Sequence, residues 1–441
     1  MVERPTYEQL LEENKILKQK VADLEKKLFE TIKGMGNIEA KTSKKIPSFV
    51  KPNISHGSSR PGRRNGHPGI SRKTPNHIDE EIELSLETCP DCGNRLGKSF
   101  GERQRYVEDI KPVRTYVRFY KSKKYWCTKC KKQVYAKPKD VIPKCRFGIS
   151  FMLFVAFQYY ALRLTLNKIS EGLREMYGIK TTEATLYNSL SRLSGYLGDE
   201  FNGIIEGMKV QKKVYADESS WRINGINHWI WDFISDEVAL IIIRKSRGSN
   251  VPIEILGEDF KGILSSDFWS AYSKLNCRKQ KCLVHLLRSI KAIKDDTPTE
   301  EESGFCRNLE RIIRDSIRLK KRDTPPETAR WKKQLLEKRI DRLAVIGYQS
   351  GRCRTLAGRV FKHKDELFTF LVEDVNFHNN DAERGLRSSV VKRKISYGNR
   401  SHNGARNHEV IMSVMETWKR QDRNFIDYGR EYIENQLTCK S

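Results

Sequence analysis

The chain has 441 residues, with 83 Lys and Arg against 56 Asp and Glu and a formal net charge of +27. No stretch approaches the roughly 20 apolar residues of a membrane span, and residues 1–30 lack the apolar core of a secretory signal, so we expect a cytoplasmic protein with no membrane partner. The positive charge indicates a polyanionic partner, most commonly nucleic acid; an acidic protein partner or a gain in solubility is the alternative. The length predicts roughly two to four domains.

Residues 1–35 predict a leucine-zipper-like coiled coil. One apolar heptad position is occupied by Tyr7, Asn14, Val21 and Leu28, and the other by Leu10, Leu17 and Leu24. A polar Asn at a core position costs stability but fixes the register of a two-stranded parallel pair. We therefore expect a homo-oligomer; a helix docked on its own chain is the alternative.

Residues 36–80 predict a basic flexible linker, because a segment so rich in Lys, Arg, Pro, Gly and Ser cannot form a core. Its centre holds Arg60, Arg63 and Arg64 among Gly and Pro residues. Arginines in such a setting can lie in a narrow minor groove, so these three are candidate DNA contacts.

Residues 81–145 predict a zinc-ribbon-like module with structural Zn²⁺. Cys89 and Cys92 form one C-x-x-C pair, and Cys127 and Cys130 form a second. Two such pairs complete a four-cysteine tetrahedral site, and the stretch 107–120 can supply strands between them. The redox interpretation of C-x-x-C lacks the strand-to-helix context of a thioredoxin motif.

Residues 146–200 predict a helix-turn-helix. An apolar helix over 151–162 is followed by helices over 167–176 and 182–197, with Gly178 in the turn between the last two. Polar positions of the last helix that could face a DNA groove are Thr185, Asn188, Ser191 and Arg192. Ordinary helical packing is the alternative.

Residues 201–420 predict an RNase H-like α/β domain. Strands are predicted over 213–217 with 221–223, then over 228–234 and 238–243, separated by the turn signals Asn224-Gly225 and Ser235-Asp236. A short helix over 252–256 and a strand over 262–265 follow. In an RNase H-like order the first and fourth strands are neighbours, so Asp217 and Asp267 would meet at one sheet end.

Adjacent carboxylates at that sheet end predict a site for Mg²⁺ or Mn²⁺, because like charges need a cation between them and hard cations prefer oxygen ligands. A third carboxylate would complete a two-ion site for phosphoryl transfer. Glu383 is the candidate, although Asn380 and Glu383 also fit a helix capping box. The alternative for Asp217 and Asp267 is a turn-acceptor role.

Four ordered motifs carry a family resemblance: Asp217 to Gly225, Asp267 to Tyr272, Cys282-Leu283-Val284-His285 and Asn379 to Arg384. Together they resemble the transposases of the insertion sequence sixty-six family, over nearly the whole chain. The resemblance implies a DDE triad in which Asp217, Asp267 and Glu383 bind the catalytic metal ions. The C-x-x-H pair more often serves packing than zinc binding.

The resemblance extends to residues 392–405, where Lys392, Arg393 and Lys394 are candidate DNA contacts and Tyr397 stands where the family leads us to expect Gly. Between the second and third carboxylates, an α-helical insertion is expected at about 290–375, with amphipathic patterns such as Leu309, Ile312, Ile313 and Ile317. Residues 421–441 are expected to be a C-terminal tail.

The resulting hypothesis is a nucleoid-associated DDE transposase that binds the terminal inverted repeats of its element and target DNA and catalyses Mg²⁺-dependent strand cleavage and strand transfer. Accessory proteins of the same element are possible partners. The alternatives are a DNA-binding repressor or degenerate transposase without catalysis, and an RNase H-like nuclease without strand transfer.

The heptad pattern makes a testable prediction. Replacing Asn14 with Leu in a peptide of residues 1–35 should strengthen association and loosen its specificity, because the buried polar side chain that fixes the register is gone. Analytical ultracentrifugation of both peptides measures the association. A wild-type peptide that stays monomeric at high concentration contradicts the coiled coil.

Overall fold

A computed structural model describes Gln19, Lys20, Asp23 and residues 76–98, 101, 103–107, 115–138, 140–143, 145–320 and 324–439. Apart from those first three positions, which are helical, the predicted coiled coil lies outside the described residues, as do Arg60, Arg63 and Arg64. The chain divides into two compact units, residues 1–109 and 110–441. No helix within the described ranges is long and apolar enough to cross a membrane.

In the first unit, the backbone turns tightly at the first cysteine pair. The amide of Cys89 donates to the carbonyl of Asn94, and the amide of Gly93 donates to the carbonyl of Cys89, both at 2.8 Å. Gly93 adopts a φ of +72°, a conformation that favours glycine. A turn of this shape brings two thiols that are separated by two intervening residues to the same side of the chain.

In the second unit, the other cysteine pair sits on an antiparallel hairpin of β1 (Lys124–Cys127) and β2 (Lys132–Tyr135). Cys127 ends the first strand, and the amide of Cys130 donates to its sulfur at 3.4 Å. Lys131 takes a φ of +50° to close the turn. The predicted module thus has a strand-turn-strand element at its second pair.

Four helices follow, with a five-residue π-helical segment, Phe157–Ala161, after the first. Thr165 and Thr182 cap the second and third helices by accepting from the amides of Lys168 and Thr185. Gly178 ends the second helix with a φ of +67°, as a C-cap glycine does. The helices are α1 (Ile149–Ala156), α2 (Leu166–Tyr177), α3 (Glu183–Tyr196) and α4 (Gly198–Lys209).

A five-stranded mixed sheet has the order β5-β4-β3-β6-β7. β3, β4 and β5 form an antiparallel meander, whereas β6 and β7 run parallel to β3. The first and fourth sheet strands are neighbours, as expected. The strands are β3 (Lys213–Ile223), β4 (Ile226–Ile234), β5 (Ala239–Arg244), β6 (Ile263–Ser266) and β7 (Arg278–Lys281), with α5 (Asn250–Leu256) between β5 and β6.

Two features of the sheet differ from the sequence prediction. β3 does not end at Asp217 but runs on to Ile223, because its antiparallel partner β4 continues alongside to the Asn224-Gly225 turn. In that turn Asn224 and Gly225 adopt φ values of +49° and +76°, which suit a two-residue hairpin. β7 was not predicted, since its four residues, Arg-Lys-Gln-Lys, carry no apolar pattern.

The region between β7 and the last carboxylate is helical, and its hydrophobic core also takes in Tyr215 of β3 and Ile263 of β6. That core includes Leu286, Leu309, Ile313, Ile340 and Leu356. The predicted C-terminal tail contains a helix over Phe425–Cys439. The helices are α6 (Leu283–Lys294), α7 (Glu300–Lys320), α8 (Pro326–Ala344), α9 (Gly351–Lys362), α10 (Lys364–Leu367), α11 (Asn380–Ser396), α12 (His402–Arg420) and α13 (Phe425–Cys439).

A second hydrophobic core joins the predicted helix-turn-helix to the sheet. It combines residues of α1 to α4 with residues of β3 to β5 and of α12 and α13, including Leu153, Leu190, Phe201, Ile241 and Trp418. The helices of residues 146–200 and the sheet therefore share one core rather than having separate ones.

Both edges of the sheet are covered. Along β5, the amides of Ala239, Ile241 and Ile243 donate to side chains of α12 spaced four residues apart: Thr417, Ser413 and Glu409, at 2.7–3.0 Å. Along β7, the side chain of Gln280 donates to the carbonyl of Leu367 and accepts from the amide of Phe370. Side chains of α12 thus take the place of a neighbouring strand along β5, and residues 367–370 cover β7.

Helix α11 packs against β3 and β4 through a glycine. A Cβ at Gly385 would overlap Oδ2 of Asp232 and Cδ1 of Ile234 on β4. Asp232 is fully buried, and among the described residues neither of its carboxylate oxygens has a hydrogen-bond partner. Burial raises the pKa of Asp232 well above its ordinary value. The absent side chain at Gly385 lets α11 approach the sheet closely.

The close approach at Gly385 predicts that Gly385→Ala lowers the free energy of unfolding by about 2–3 kcal/mol, because the added methyl overpacks buried neighbours. Gly358→Ala is the matched control, since a Cβ there meets nothing within 4 Å in α9. That change should stabilise by about 0.5–1 kcal/mol. Equal effects of the two substitutions in denaturant unfolding would contradict the close contact.

Candidate active site

The parallel register between β3 and β6 places two predicted carboxylates level with each other. Tyr215 is the partner of Ser265, and Asp217 and Asp267 each lie two residues farther along. Asp217 also shares a sheet face with Asp232, its partner on β4. Glu218 faces the opposite side, because successive side chains of a strand alternate.

Asp217 lies in a setting that disfavours its negative charge. Burial raises its pKa to about 8, and the carboxylates of Glu218, Asp267 and Glu383 contribute in the same direction. One Asp217 oxygen accepts from the amide of Glu218 at 2.9 Å. Asp267 and Glu383 therefore both lie close enough to Asp217 to disfavour its negative charge.

A buried lysine, Lys281, anchors the backbone at Asp267. The ammonium of Lys281, which is fully buried, donates to the carbonyl of Asp267 at 2.9 Å and to the hydroxyl of Ser266 at 3.1 Å. The carboxylate of Asp267 accepts from the amide of Trp269 at 2.8 Å. The backbone of this loop is thereby fixed while one carboxylate oxygen keeps acceptor capacity.

Glu383 does not form the capping box. Asn379, not Asn380, is the N-cap of α11, and its side chain makes no cap bond. Asn379 instead donates through Nδ2 to the carbonyl of Ala216 at 2.8 Å, which ties α11 to the strand of Asp217. The Glu383 carboxylate accepts from both terminal nitrogens of Arg288 at 3.2 and 3.3 Å.

A second set of potential ligands also includes Glu383. Ligating atoms of Cys282, His285 and Glu383 all lie within 4.8 Å of one another, the one such group of three among the described residues. Asp217 and Asp267 lie outside this group. The distance of Asp217 and Asp267 from this group is compatible with two metal ions bound among the three carboxylates. Two ions about 3.5–4 Å apart take ligands from a wider area than one ion does.

Beneath the carboxylates, the opposite sheet face carries an aromatic and charged cluster. Glu218 accepts from Arg247 at 2.9 Å and from the hydroxyl of Tyr272. The Arg247 guanidinium lies between the rings of Trp229 and Trp269, at 4.4 and 3.8 Å from their centroids. Burial raises the pKa of Glu218. This cluster supports the strand ends from behind.

Comparison with protein families identifies the region around these carboxylates. Residues 144–407 match the model of the family described as transposase IS66 family. The matched region spans more than half of the chain and contains Asp217, Asp267 and Glu383. The chain belongs to the IS66 family of transposases. Membership indicates a DNA-processing enzyme, as the resemblance of its four motifs implied.

A second match supports the zinc prediction. Residues 87–131 match the zinc-finger binding domain of IS66 transposases, a range that includes Cys89, Cys92, Cys127 and Cys130. The match supports structural zinc in this chain. Cysteines bind zinc best as thiolates, and hydrogen bonds from neighbouring backbone amides lower the pKa of Cys89 and of Cys127.

The IS66-family chain is also similar to an uncharacterized protein, y4jO, of Sinorhizobium fredii. The two are 30% identical over 151 residues, which make up 33% of this chain and 45% of that protein. The match thus spans less than half the length of the relative.

The polar positions of α3 are partly used within the fold. Ser191 accepts from the Asn407 side chain of α12 at 2.8 Å. Arg192 donates to the carbonyl of Pro143 and to the sulfur of Cys145, both at 3.1 Å. Thr185 is half-buried in the capped first turn, whereas Asn188 is exposed.

The structure corrects part of the prediction that the basic run of α11, Lys392 to Lys394, contacts DNA. Lys392 is buried, with its ammonium donating to the carbonyls of Tyr159 and Leu164 at 3.0 Å, so the expectation that it contacts DNA is wrong for this structure. Burial lowers its pKa to about 7. Arg393 is bound to Ser219 and Ser220 of β3, and Lys394 is exposed.

The loop after α11 gives a physical reason to expect Gly at position 397, where this chain has Tyr. Tyr397 adopts a φ of +59°, a left-handed conformation in which Gly is the least strained residue. A Cβ at the following Gly398 would overlap the carbonyl oxygen of Arg222. Asn399 then bonds to Arg222 and Asn224, which fixes the loop on the β3–β4 hairpin.

Sequence reasoning missed Arg288, Lys281 and Asn379 as parts of the site. Arg288 continues the spacing of Cys282 and His285 by three more residues on the same helix face, which is a usable signal. Lys281 precedes the C-x-x-H pair in a polar segment that gave no strand signal. The link from Asn379 to Ala216 is a contact between distant segments, which a single sequence does not reveal.

The raised pKa of Asp217 predicts a pH-dependent effect on stability. An unfolded Asp titrates near 3.8, whereas the folded carboxyl titrates at about 8; the folded state holds a proton that the unfolded chain has lost, so stability falls as pH rises through this window. Asp217→Asn should therefore raise the melting temperature of metal-free protein increasingly from about pH 4 to about pH 8. Asp259→Asn on an exposed loop is the control; a pH-independent gain would contradict the assignment.

Proposed function

We propose that this IS66-family protein is a DDE transposase in which Asp217, Asp267 and Glu383 hold Mg²⁺ or Mn²⁺ and carry DNA strand cleavage and strand transfer. The observation that supports it most is the register that levels Asp217 with Asp267, together with the effect of Glu383 on the pKa of Asp217. A structural role for one carboxylate would not explain why carboxylates from three separate segments lie near Asp217.

The strand order supports an RNase H-like catalytic domain. Three antiparallel strands followed by two parallel ones, with the first strand central, match the order predicted for that fold. The first carboxylate lies on the central strand, the second follows its parallel neighbour, and the third lies on a helix packed across both β3 and β4. We propose that the helices over about 290–375 are an insertion in this domain.

The donor set fits a hard divalent cation. Its ligating atoms are carboxylate oxygens, and a divalent cation would offset the burial and the neighbouring carboxylates that raise the pKa of Asp217. Arg288 pairs with Glu383 through a half-exposed side chain, a type of contact that contributes little and is readily exchanged. Bound ions would activate the attacking oxygen and stabilise the leaving one.

The surrounding residues position this donor set. Asn379 links the start of α11 to the carbonyl before Asp217, and Lys281 holds the carbonyl of Asp267. Arg393 links the end of α11 to β3. With both ends of α11 bound to the strand of Asp217, the third carboxylate is held at a constant position relative to the first.

We propose that DNA is bound by surfaces outside the triad. The candidates are the linker arginines Arg60, Arg63 and Arg64, the exposed Asn188 of α3, Thr185 and Arg192 after local rearrangement, and Lys394. The net charge of +27 supports contact with phosphates. The terminal inverted repeats and target DNA are the proposed substrates.

We propose the same domain order as the sequence indicates: coiled coil 1–35, linker 36–80, zinc module 81–145, helix-turn-helix 146–200 and catalytic domain 201–420. Cys89, Cys92, Cys127 and Cys130 are the proposed ligands of one zinc ion. Residues 1–35 are proposed to join protomers, and accessory proteins of the element are further proposed partners.

The test separates catalysis from binding. Asp267→Asn keeps the shape of the side chain but removes a charge that the ions need, so it should reduce Mg²⁺-dependent cleavage of an end-containing duplex at least a thousandfold. Binding in a gel-shift assay should be retained or slightly stronger, because an anionic group near the phosphates is gone. Binding of both proteins should weaken steeply with salt.

Asp259→Asn serves as the matched control, because Asp259 is exposed and bonded only to the Asn276 side chain among its described neighbours. Accessory proteins of the element are added to each assay. Cleavage by Asp267→Asn at the wild-type rate would refute the triad. Specific binding without cleavage by any variant would favour a repressor or degenerate transposase, and cleavage without strand-transfer products would favour a nuclease.

A further inference from the structure

A second, softer ligand set lies next to the proposed magnesium site. Cys282 is the N-cap of α6 and His285 lies three residues later, so both project from the first turn on one helix face. Glu383 reaches the same point from α11. The ligating atoms of the three residues all lie within 4.8 Å of one another.

The spacing suits one tetrahedral ion after small side-chain adjustments. Zinc bonds of about 2.3 Å to sulfur and about 2.0–2.1 Å to nitrogen or oxygen place ligand atoms roughly 3.3–3.7 Å apart. The Nε2 of His285 is 3.9 Å from a Glu383 oxygen. Because the side chains of His285 and Glu383 are 34% and 29% exposed, both have room to rotate.

The chemistry favours zinc over magnesium. Thiolate and imidazole are ligands that zinc accepts and magnesium avoids, and one thiolate with one carboxylate balances a divalent charge. The amide of Asn379 already donates to the sulfur of Cys282 at 3.3 Å, which stabilises negative charge there. Nδ1 of His285 is buried with no hydrogen-bond partner in the described part of the chain.

We infer that Cys282, His285 and Glu383 form a site for a zinc-class cation that competes with the catalytic ions for Glu383. The competition rests on the proposed function, because it requires Glu383 to be a ligand of those ions. Zinc bound here would withdraw the third carboxylate from the triad and hold the enzyme inactive. The site leaves a fourth position open to water, as three-ligand zinc sites do.

Zinc stoichiometry tests the site without any activity. Full-length wild type, Cys282→Ser, His285→Asn and the control Cys306→Ser are equilibrated across a chelator-buffered Zn²⁺ series, and bound zinc is measured by metal analysis. Cys306 is a second buried cysteine, and its thiol donates to the carbonyl of Ile290 in α6 at 4.0 Å.

Wild type and Cys306→Ser should bind one more zinc per chain than Cys282→Ser and His285→Asn, which keep the zinc of residues 87–131. Cys282 is buried, so its replacement can disturb folding, and His285→Asn tests the same site at a less buried position. Circular dichroism checks that every variant is folded. Equal zinc content in all four folded proteins would overturn the site.

Competition is read from Mn²⁺ binding by electron paramagnetic resonance. Zinc at the level that fills the extra site should displace at least half of the bound Mn²⁺ from wild type and less than a tenth from Cys282→Ser. Mn²⁺ that stays bound to zinc-filled wild type would overturn the competition. A wild type that binds the extra zinc but no Mn²⁺ would refute the proposed catalytic centre and the competition, while supporting the zinc site.

Discussion

The β3–β6 register, which holds Asp217 and Asp267 level at a buried end of the sheet, is the constraint on which the rest of the site depends. Burial raises the pKa of Asp217, and the neighbouring carboxylates of Glu218, Asp267 and Glu383 add to that effect. The fold resists separation by anchoring the backbone rather than the carboxylates: Lys281 holds the carbonyl of Asp267, and Asn379 holds the carbonyl before Asp217. The carboxyl oxygens therefore remain available, while the backbone segments that carry them are held in place.

Helix α11 carries the third carboxylate, that of Glu383, to the sheet end where Asp217 and Asp267 lie. It lies close to the sheet because Gly385 has no side chain to meet Asp232, and its two ends are bound to the strand of Asp217. Glu383 consequently lies near two sets of side chains: it contributes to the raised pKa of Asp217, and its carboxylate lies within 4.8 Å of ligating atoms of Cys282 and His285.

Much of this arrangement was predictable from sequence, and the exceptions have physical causes. The Asn224-Gly225 turn, the Gly178 cap and the adjacency of the first and fourth strands follow from local backbone preferences and fold order, and the family followed from four spaced motifs. The continuation of β3 beyond Asp217 was missed because residues 217–220 are polar, although β4 pairs with them throughout. β7 was missed because long-range polar contacts, which a single sequence does not reveal, bury Gln280 and Lys281. The burial of Lys392 was missed because it lies within a run of basic residues, a pattern typical of an exposed surface.

The polar ladder from α12 to β5 has a consequence for how copies of this protein meet. An open strand edge is a template on which another chain can add a strand, either in a specific complex or in an aggregate. Here Thr417, Ser413 and Glu409 already occupy the amides of β5, and Gln280 is engaged on the opposite edge. A strand from another molecule therefore cannot pair with these three amides of β5 unless the bonds to α12 are first broken.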